Sequence, residues 1–172
     1  MEQNSRQAQA FADIVREHQN AVFAVAYARL RNKHDAEDVV QDVFLEACRS
    51  AAKMKNPEKV AFWLYKAANC RCKDHLKKLS RRERRESEFA QSLGRNPATP
   101  DEEEERIDAL MAAINLLPED FRVLVMLRHF AKLSYADISK MTGLSRTTID
   151  GRLRLAKKRL RRKLTDMGIG VD

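Results

Sequence analysis

Residues 133–164, LSYADISKMTGLSRTTIDGRLRLAKKRLRRKL, constrain the fold of this chain more than any other stretch. They spell a short helix, a tight turn and a longer helix. Ser134 is placed to cap the first helix, with Asp137 three residues on as the reciprocal acid. Ile138 and Met141 are its apolar residues, and Gly143 stands where the chain needs a residue tolerant of positive φ. Ser139 is small and four residues before Gly143, so the two helices can approach at the turn. Ser145 caps the second helix, where Ile149, Leu153, Ala156, Leu160 and Leu164 recur at steps of three and four and so face a core. This is helix-turn-helix spacing, which puts the second helix in a DNA major groove. Arg152 to Lys163 holds eight basic residues and no acid. Such a stripe can be no more than a solvated face. Here turn, cap and charge coincide on one element, which favours DNA.

The whole chain agrees in sign. Its 172 residues carry a formal charge of +8, which suggests an anionic partner, nucleic acid first. The length fits one domain or two small ones. No segment approaches the ~20 apolar residues needed to span a bilayer. The N-terminal MEQNSRQAQAF lacks the apolar core of a signal peptide, so a cytoplasmic location without membrane insertion is expected. Three cysteines, Cys48, Cys70 and Cys72, are an odd count with no disulfide framework. Cys70 and Cys72 diverge by about 200° on a helix, and no second Cys or His cluster completes a zinc site. Small packing residues are the better reading. His18, His34, His75 and His129 are scattered without metal spacing, and no Gly-rich phosphate loop is present. Neither cofactor nor metal is expected, and no enzymatic activity.

Taken in order, residues 11–30 carry Phe11, Ile14, Val15, Val22, Phe23, Val25, Ala26 and Leu30, a helical period over five turns. After a short connection at 31–34, Asp35 starts a second helix with Val39, Val40, Val43, Phe44 and Ala47 inward. Its outer face is acidic and polar, with Asp38, Gln41, Asp42 and Glu46. That face is either ordinary solvated surface or a docking surface for a basic protein. Asn56-Pro57 starts a third helix, with Asn as cap and Pro first. Phe62, Tyr65, Ala68, Cys72, Leu76 and Leu79 are its expected buried stripe. Trp63, Lys66, Cys70, Lys73 and Lys77 form a different one, and Arg71, Lys78, Arg81 and Arg82 extend the positive field. An aromatic among cations suits a nucleic-acid strand, because phosphates meet the cations and an unpaired base can stack on the ring. Core packing is the competing reading for Trp63.

From Arg81 to Pro100 the apolar period is lost and Gly94, Pro97 and Pro100 appear, so this stretch reads as a flexible linker. Thr99-Pro100-Asp101-Glu102 begins a new helix. Ile107, Leu110, Met111, Ile114 and Leu117 are expected to bury it; Phe121, Leu124, Val125 and Leu127 bury the helix opened by Pro118. The expected architecture is all-α: one helical domain over 1–80, a linker over 81–100 and a second domain over 101–172 containing the helix-turn-helix.

Three of these stretches, in this order, carry a family likeness. DAEDVVQDVFLEA (35–47) resembles the polymerase-binding helix of bacterial sigma factors of the extracytoplasmic-function group. FWLYKAANCRCKDHL (62–76) resembles that family's promoter-melting helix, and 116–164 its helix-turn-helix domain. The resemblance covers roughly Phe11 to Leu164. It implies a protein that binds core RNA polymerase through Asp38, Gln41 and Asp42 and directs it to promoter DNA. It implies that Trp63, Lys66, Asn69, Cys70, Lys73 and Lys77 hold unpaired bases of the minus-ten element. The second domain would read the minus-thirty-five element as duplex. There Thr147, Thr148, Asp150, Gly151, Arg152 and Arg154 lie where base edges are reachable, with Lys157, Lys158, Arg161 and Arg162 further along on phosphates. Arg128 matches a family arginine that supports this contact. By family analogy an anti-sigma protein would restrain the chain. Two positions depart from the pattern: Cys70 stands where the family often has Asn, and Asp150 where it often has Lys or Arg. An acid at 150 repels phosphate but can accept a hydrogen bond from cytosine. The rival reading is a stand-alone helix-turn-helix regulator with an N-terminal sensing or dimerisation domain, which would need neither the acidic helix nor the Trp-Lys stripe.

Overall fold

The computed structural model describes residues 2–50, 56–86 and 102–168, and every regular element among them is a helix. Three long helices come first: α1 (Glu2–Leu30), α2 (Lys33–Ser50) and α3 (Pro57–Glu86). The second half holds α4 (Glu102–Asn115), α5 (Glu119–Val125), α6 (Tyr135–Thr142) and α7 (Arg146–Asp166). Between α5 and α6 a π-helical turn (Met126–Phe130) continues α5 without a break. No helix among the described residues is long and apolar enough to cross a membrane. The expected helix start at 99–101 and most of the expected linker lie outside the described residues. α3 itself runs to Glu86, past residue 80.

The first three helices form one core. In α1 a run of small residues, Ala21, Val22, Ala24, Val25, Ala26 and Ala28, is buried and lets neighbouring backbones approach. α2 opens at Lys33, earlier than expected, because Asn32 acts as its cap: the Asp35 N–H donates to Asn32 Oδ1 at 3.2 Å. Val39, Val43, Phe44 and Ala47 face inward as the period predicts, with Val40 half-buried. α3 departs from expectation. Its buried row is Val60, Leu64, Ala68 and Cys72, an i+4 ridge. Of the expected stripe only Ala68 and Cys72 are buried. Tyr65 and Leu79 are half-buried, while Phe62 and Leu76 are 39% and 41% exposed. α3 carries apolar side chains on two adjacent faces, and α1 and α2 take the one with the smaller residues. Phe62 is turned instead toward the second domain, its Cε2 3.5 Å from where a Cβ on Gly143 would sit. Cys72 is a packing residue, and burial pushes its thiol pKa up to about 12.

In the second half Leu124, Leu127, Ile138, Met141, Ile149 and Ala156 are almost fully enclosed. Ile107 and Leu110 were expected inside but are 55% and 41% exposed. α4 is buried by its last turns, through Ala113 and Ile114. The helix-turn-helix follows its sequence. Ser134 and Asp137 form a reciprocal capping box, and Gly143 sits at φ 77°. Ser139 donates its hydroxyl to the Leu144 carbonyl at 2.7 Å, and Ser145 caps α7.

The two halves also pack on each other. Arg122, 2% exposed, donates Nε to the Ala28 carbonyl in the last turn of α1. Its Nη1 donates to the Asn115 and Leu117 carbonyls at 2.9 Å each. One guanidinium thus serves the carbonyl ends of α1 and α4, where a cation is favoured by the helix dipoles. Burial, then Arg31, lowers its pKa, and Glu119 opposes that shift. Beside it Arg29 pairs with Glu119, and Phe23 meets Phe130 with ring centroids 5.7 Å apart.

Candidate nucleic-acid and polymerase interfaces

α7 is positioned by its cap and its buried row. The Thr148 N–H donates to Ser145 Oγ at 3.1 Å, which fixes the first turn. Ile149, Leu153, Ala156 and Leu164 are buried and Leu160 is half-buried, so the opposite side of the helix must point outward. At 100° per residue that outward side carries Thr147, Gly151, Arg154, Leu155 and Lys158, with Asp150 half-buried on its flank. Thr147 is exposed, and a Cβ added to Gly151 would meet nothing within 4 Å, so a duplex could approach the backbone there. Leu155 is 52% exposed. Leu155 falls outside the periodic apolar row of α7. Its signal was an apolar residue outside the buried row, of the kind that meets a thymine methyl.

Other expected contacts sit differently. Arg152 lies on the flank toward α5, half-buried, with Nη1 3.4 Å from Asp120 Oδ2. The Thr148 hydroxyl is 2.8 Å from Ser145 Oγ and belongs to the cap. Arg128 donates Nη1 to the Leu133 carbonyl at 2.8 Å and lies over the Tyr135 ring, 5.2 Å from its centroid. It therefore braces the entry to α6, with its remaining N–H groups exposed. Lys157 is exposed on the other flank, beside a groove of about 500 Å³ floored by Val125, Leu153 and Leu160. His129 lines the same groove. Burial first, then the cations Arg128, Lys132 and Lys157, lower its pKa. Those three cations give this flank of α7 a positive potential that attracts phosphate.

On α3, residues 63, 66, 70, 73 and 77 fall at steps of three and four and share one face. Lys66, Cys70, Lys73 and Lys77 are exposed, while Trp63 is half-buried against the core. Lys66 Nζ stands 5.3 Å over the Phe62 ring, so the aromatic it covers is Phe62. Asn69 is half-buried, and its Oδ1 is enclosed with no hydrogen-bond partner among the described residues. Arg71 does not extend the positive field as expected. It donates Nη2 to Glu46 Oε2 at 2.8 Å and Nε to the same oxygen at 3.2 Å, and that bond raises its pKa.

The same pairing turns Glu46 away from the outer face of α2. What remains is Asp38, Gln41 and Asp42, all exposed, and none is ion-paired or hydrogen-bonded to another described side chain. Asp38 and Asp42 also line a shallow depression with Asp74 on α3, but Arg71 and Lys78 line it too, so the acidic face stays on α2. The chain thus has three faces: an acidic one on α2, a cationic one along α3 and a polar, basic one on α7.

A helical protein with a capped recognition helix, a separate cationic helix face and an unpaired acidic patch belongs to the class that handles DNA together with a protein partner. Residues 14–82 match Sigma-70 region 2, and residues 107–160 match Sigma-70 region 4. The ECF RNA polymerase sigma-E factor of Haemophilus influenzae is 30% identical over 168 residues, covering 90% of this chain and 87% of that protein. RNA polymerase sigma factor SigV of Bacillus subtilis is 27% identical over 151 residues, covering 88% and 89%. Two solved structures share the fold. The sigma factor RpoE in complex with the anti-sigma factor NepR from Bartonella quintana has a TM-score of 0.60 at 23% identity, over 91% of this chain and 98% of that one. CnrH in complex with the cytosolic domain of CnrY has a TM-score of 0.62 at 20% identity, over 92% and 90%. The chain belongs to the extracytoplasmic-function group of RNA polymerase sigma factors. As such it directs transcription through RNA polymerase.

Proposed function

We propose that the chain carries core RNA polymerase to promoters with two elements, contacting the upstream one as duplex and the downstream one as melted strand. The observation that carries this reading is the separation of the two nucleic-acid faces. A capped helix with an open outward side suits a major groove. The α3 face of Lys66, Cys70, Lys73 and Lys77 beside half-buried Trp63 suits a single strand. Asp38, Gln41 and Asp42 form the face offered to a basic surface of core polymerase. None of these steps makes or breaks a covalent bond at a residue of this chain. An anti-sigma protein is the natural restraint, since two of the solved structures with this fold hold a bound protein, NepR in one case and CnrY in the other.

The test is multi-round transcription by core polymerase, with and without the chain, on a library of genomic fragments. Transcripts that start at defined positions only when the chain is present support the reading. Lys73→Ala with Lys77→Ala should lower open-complex formation while core association persists. Sequence-specific DNA binding with no association to core would favour the stand-alone regulator instead.

A further inference from the structure

The acid at position 150 is the oddest residue on the recognition helix, since a carboxylate facing phosphates is repelled. Its surroundings resolve the oddity. Asp150 is held by Arg154 one turn on, which donates both Nε, at 3.0 Å, and Nη2 to the same carboxylate oxygen, Oδ2. Oδ1 accepts no hydrogen bond from any described group. Arg154 is 79% exposed, so its Nη1 and outer N–H groups remain available. Arg154 lies on the outward side of α7 and Asp150 on the adjoining flank, half-buried but still open to solvent, and next to them the backbone at Gly151 is unobstructed. The pair therefore presents one acceptor and a set of donors side by side, with net charge near zero.

Resting on the sigma reading above, we propose that Asp150 and Arg154 act as one unit that selects a C·G base pair in the upstream promoter element. In the major groove only cytosine N4 and adenine N6 donate, while guanine O6 and N7 and thymine O4 accept. A free carboxylate oxygen accepts from an amino group and is repelled by every acceptor edge, so it rejects guanine and thymine at the base it faces. Arg154 narrows the remaining choice. Its donors match O6 and N7 of the guanine paired to that cytosine, whereas the thymine paired to an adenine offers one acceptor and a methyl group. The carboxylate also fixes the guanidinium in direction, which reduces the freedom lost when it docks. A lysine or arginine at 150 would instead attract phosphate and acceptor edges.

The experiment is selection of transcribed templates by the full chain assembled with core polymerase, from promoters randomised across the upstream element. The wild-type chain should enrich one C·G pair about tenfold or more over other pairs at a single position. Asp150→Ala should flatten that position and leave its neighbours unchanged. Asp150→Asn should shift it toward adenine, since an amide can pair with adenine N6 and N7. The same preference in all three proteins overturns the proposal. Failure of every holoenzyme, wild type included, to produce chain-dependent transcripts would instead overturn the sigma reading.

Discussion

Replacing Arg122 by methionine removes a buried charge that joins the two halves of the structure while keeping most of the side-chain stem. Three carbonyls lose their donor: Ala28, Asn115 and Leu117. The Asn115 bond is only part-buried, so water can replace that donor. The other two bonds are buried, and a buried group left unsatisfied costs about 1–3 kcal/mol. Against this, the guanidinium no longer has to be desolvated, which returns part of the loss. The net expectation is about 2–3 kcal/mol of destabilisation. One of the bonds crosses between α5 and α1, so the two halves should also lose their coupling. The assay is urea unfolding followed both by fluorescence of Trp63, the only tryptophan, and by far-ultraviolet circular dichroism. The wild-type curves should coincide, and those of Arg122→Met should separate, with different midpoints for the two probes. A variant within about 0.5 kcal/mol of wild type, with coincident curves, would refute both the stapling role and the arithmetic.

Leu64, fully enclosed, should cost about 3 kcal/mol on truncation to alanine, and Phe62, 39% exposed, clearly less; denaturant midpoints of the two variants decide which face of α3 is the core. Asp42→Lys should weaken association with core polymerase in a pull-down titration while leaving the thermal midpoint within a degree or two, because Asp42 is exposed and its only pull, on Arg71, is a screened surface one. His129 is held below its ordinary pKa of 6.5 by burial and by Arg128, Lys132 and Lys157. The folded state therefore binds this proton less readily than the unfolded chain, and stability falls as pH drops through 6.5 toward the folded value. Bound phosphate acts in the opposite direction and raises the pKa, so duplex affinity should climb between pH 7.5 and 5.5, and His129→Gln should flatten that profile.

The helix-turn-helix was legible because its rules are local. Ser134, Asp137, Gly143 and Ser145 fix caps and a turn within a dozen residues, and the outcome matches residue for residue. The acidic face of α2 was legible for the same reason, except at Glu46, whose partner Arg71 comes from another helix. α3 was misread where two apolar faces compete, since a helical period gives a stripe but not which neighbour claims it. Leu64 was overlooked on that account, and Phe62 was set inside when it meets the turn at Gly143. Arg152 has the right charge and roughly the right position. The helical period alone puts it about 80° from the centre of the buried row, on a flank, but its pairing with Asp120, thirty-two residues earlier, is something no local rule reveals. The contact between the two halves was wholly invisible, because Arg122 reads as one more surface arginine until the end of α1 is placed beside it.

The π-helical turn at Met126–Phe130 has a consequence for how this sequence can change. Ala131 N–H bonds to the Met126 carbonyl, five residues back, so the helix holds one residue more than a regular turn would. An extra residue offsets everything before it by about 100° relative to everything after it. Upstream, Arg122 addresses α1; downstream, Arg128 addresses the Leu133 carbonyl and the entry to α6. Each half is thus in phase with a different neighbour. A single-residue deletion here would leave composition, charge and hydropathy almost untouched, yet it would put the two halves out of step. In a lineage that drifts freely by substitution, this short segment should resist any change in length.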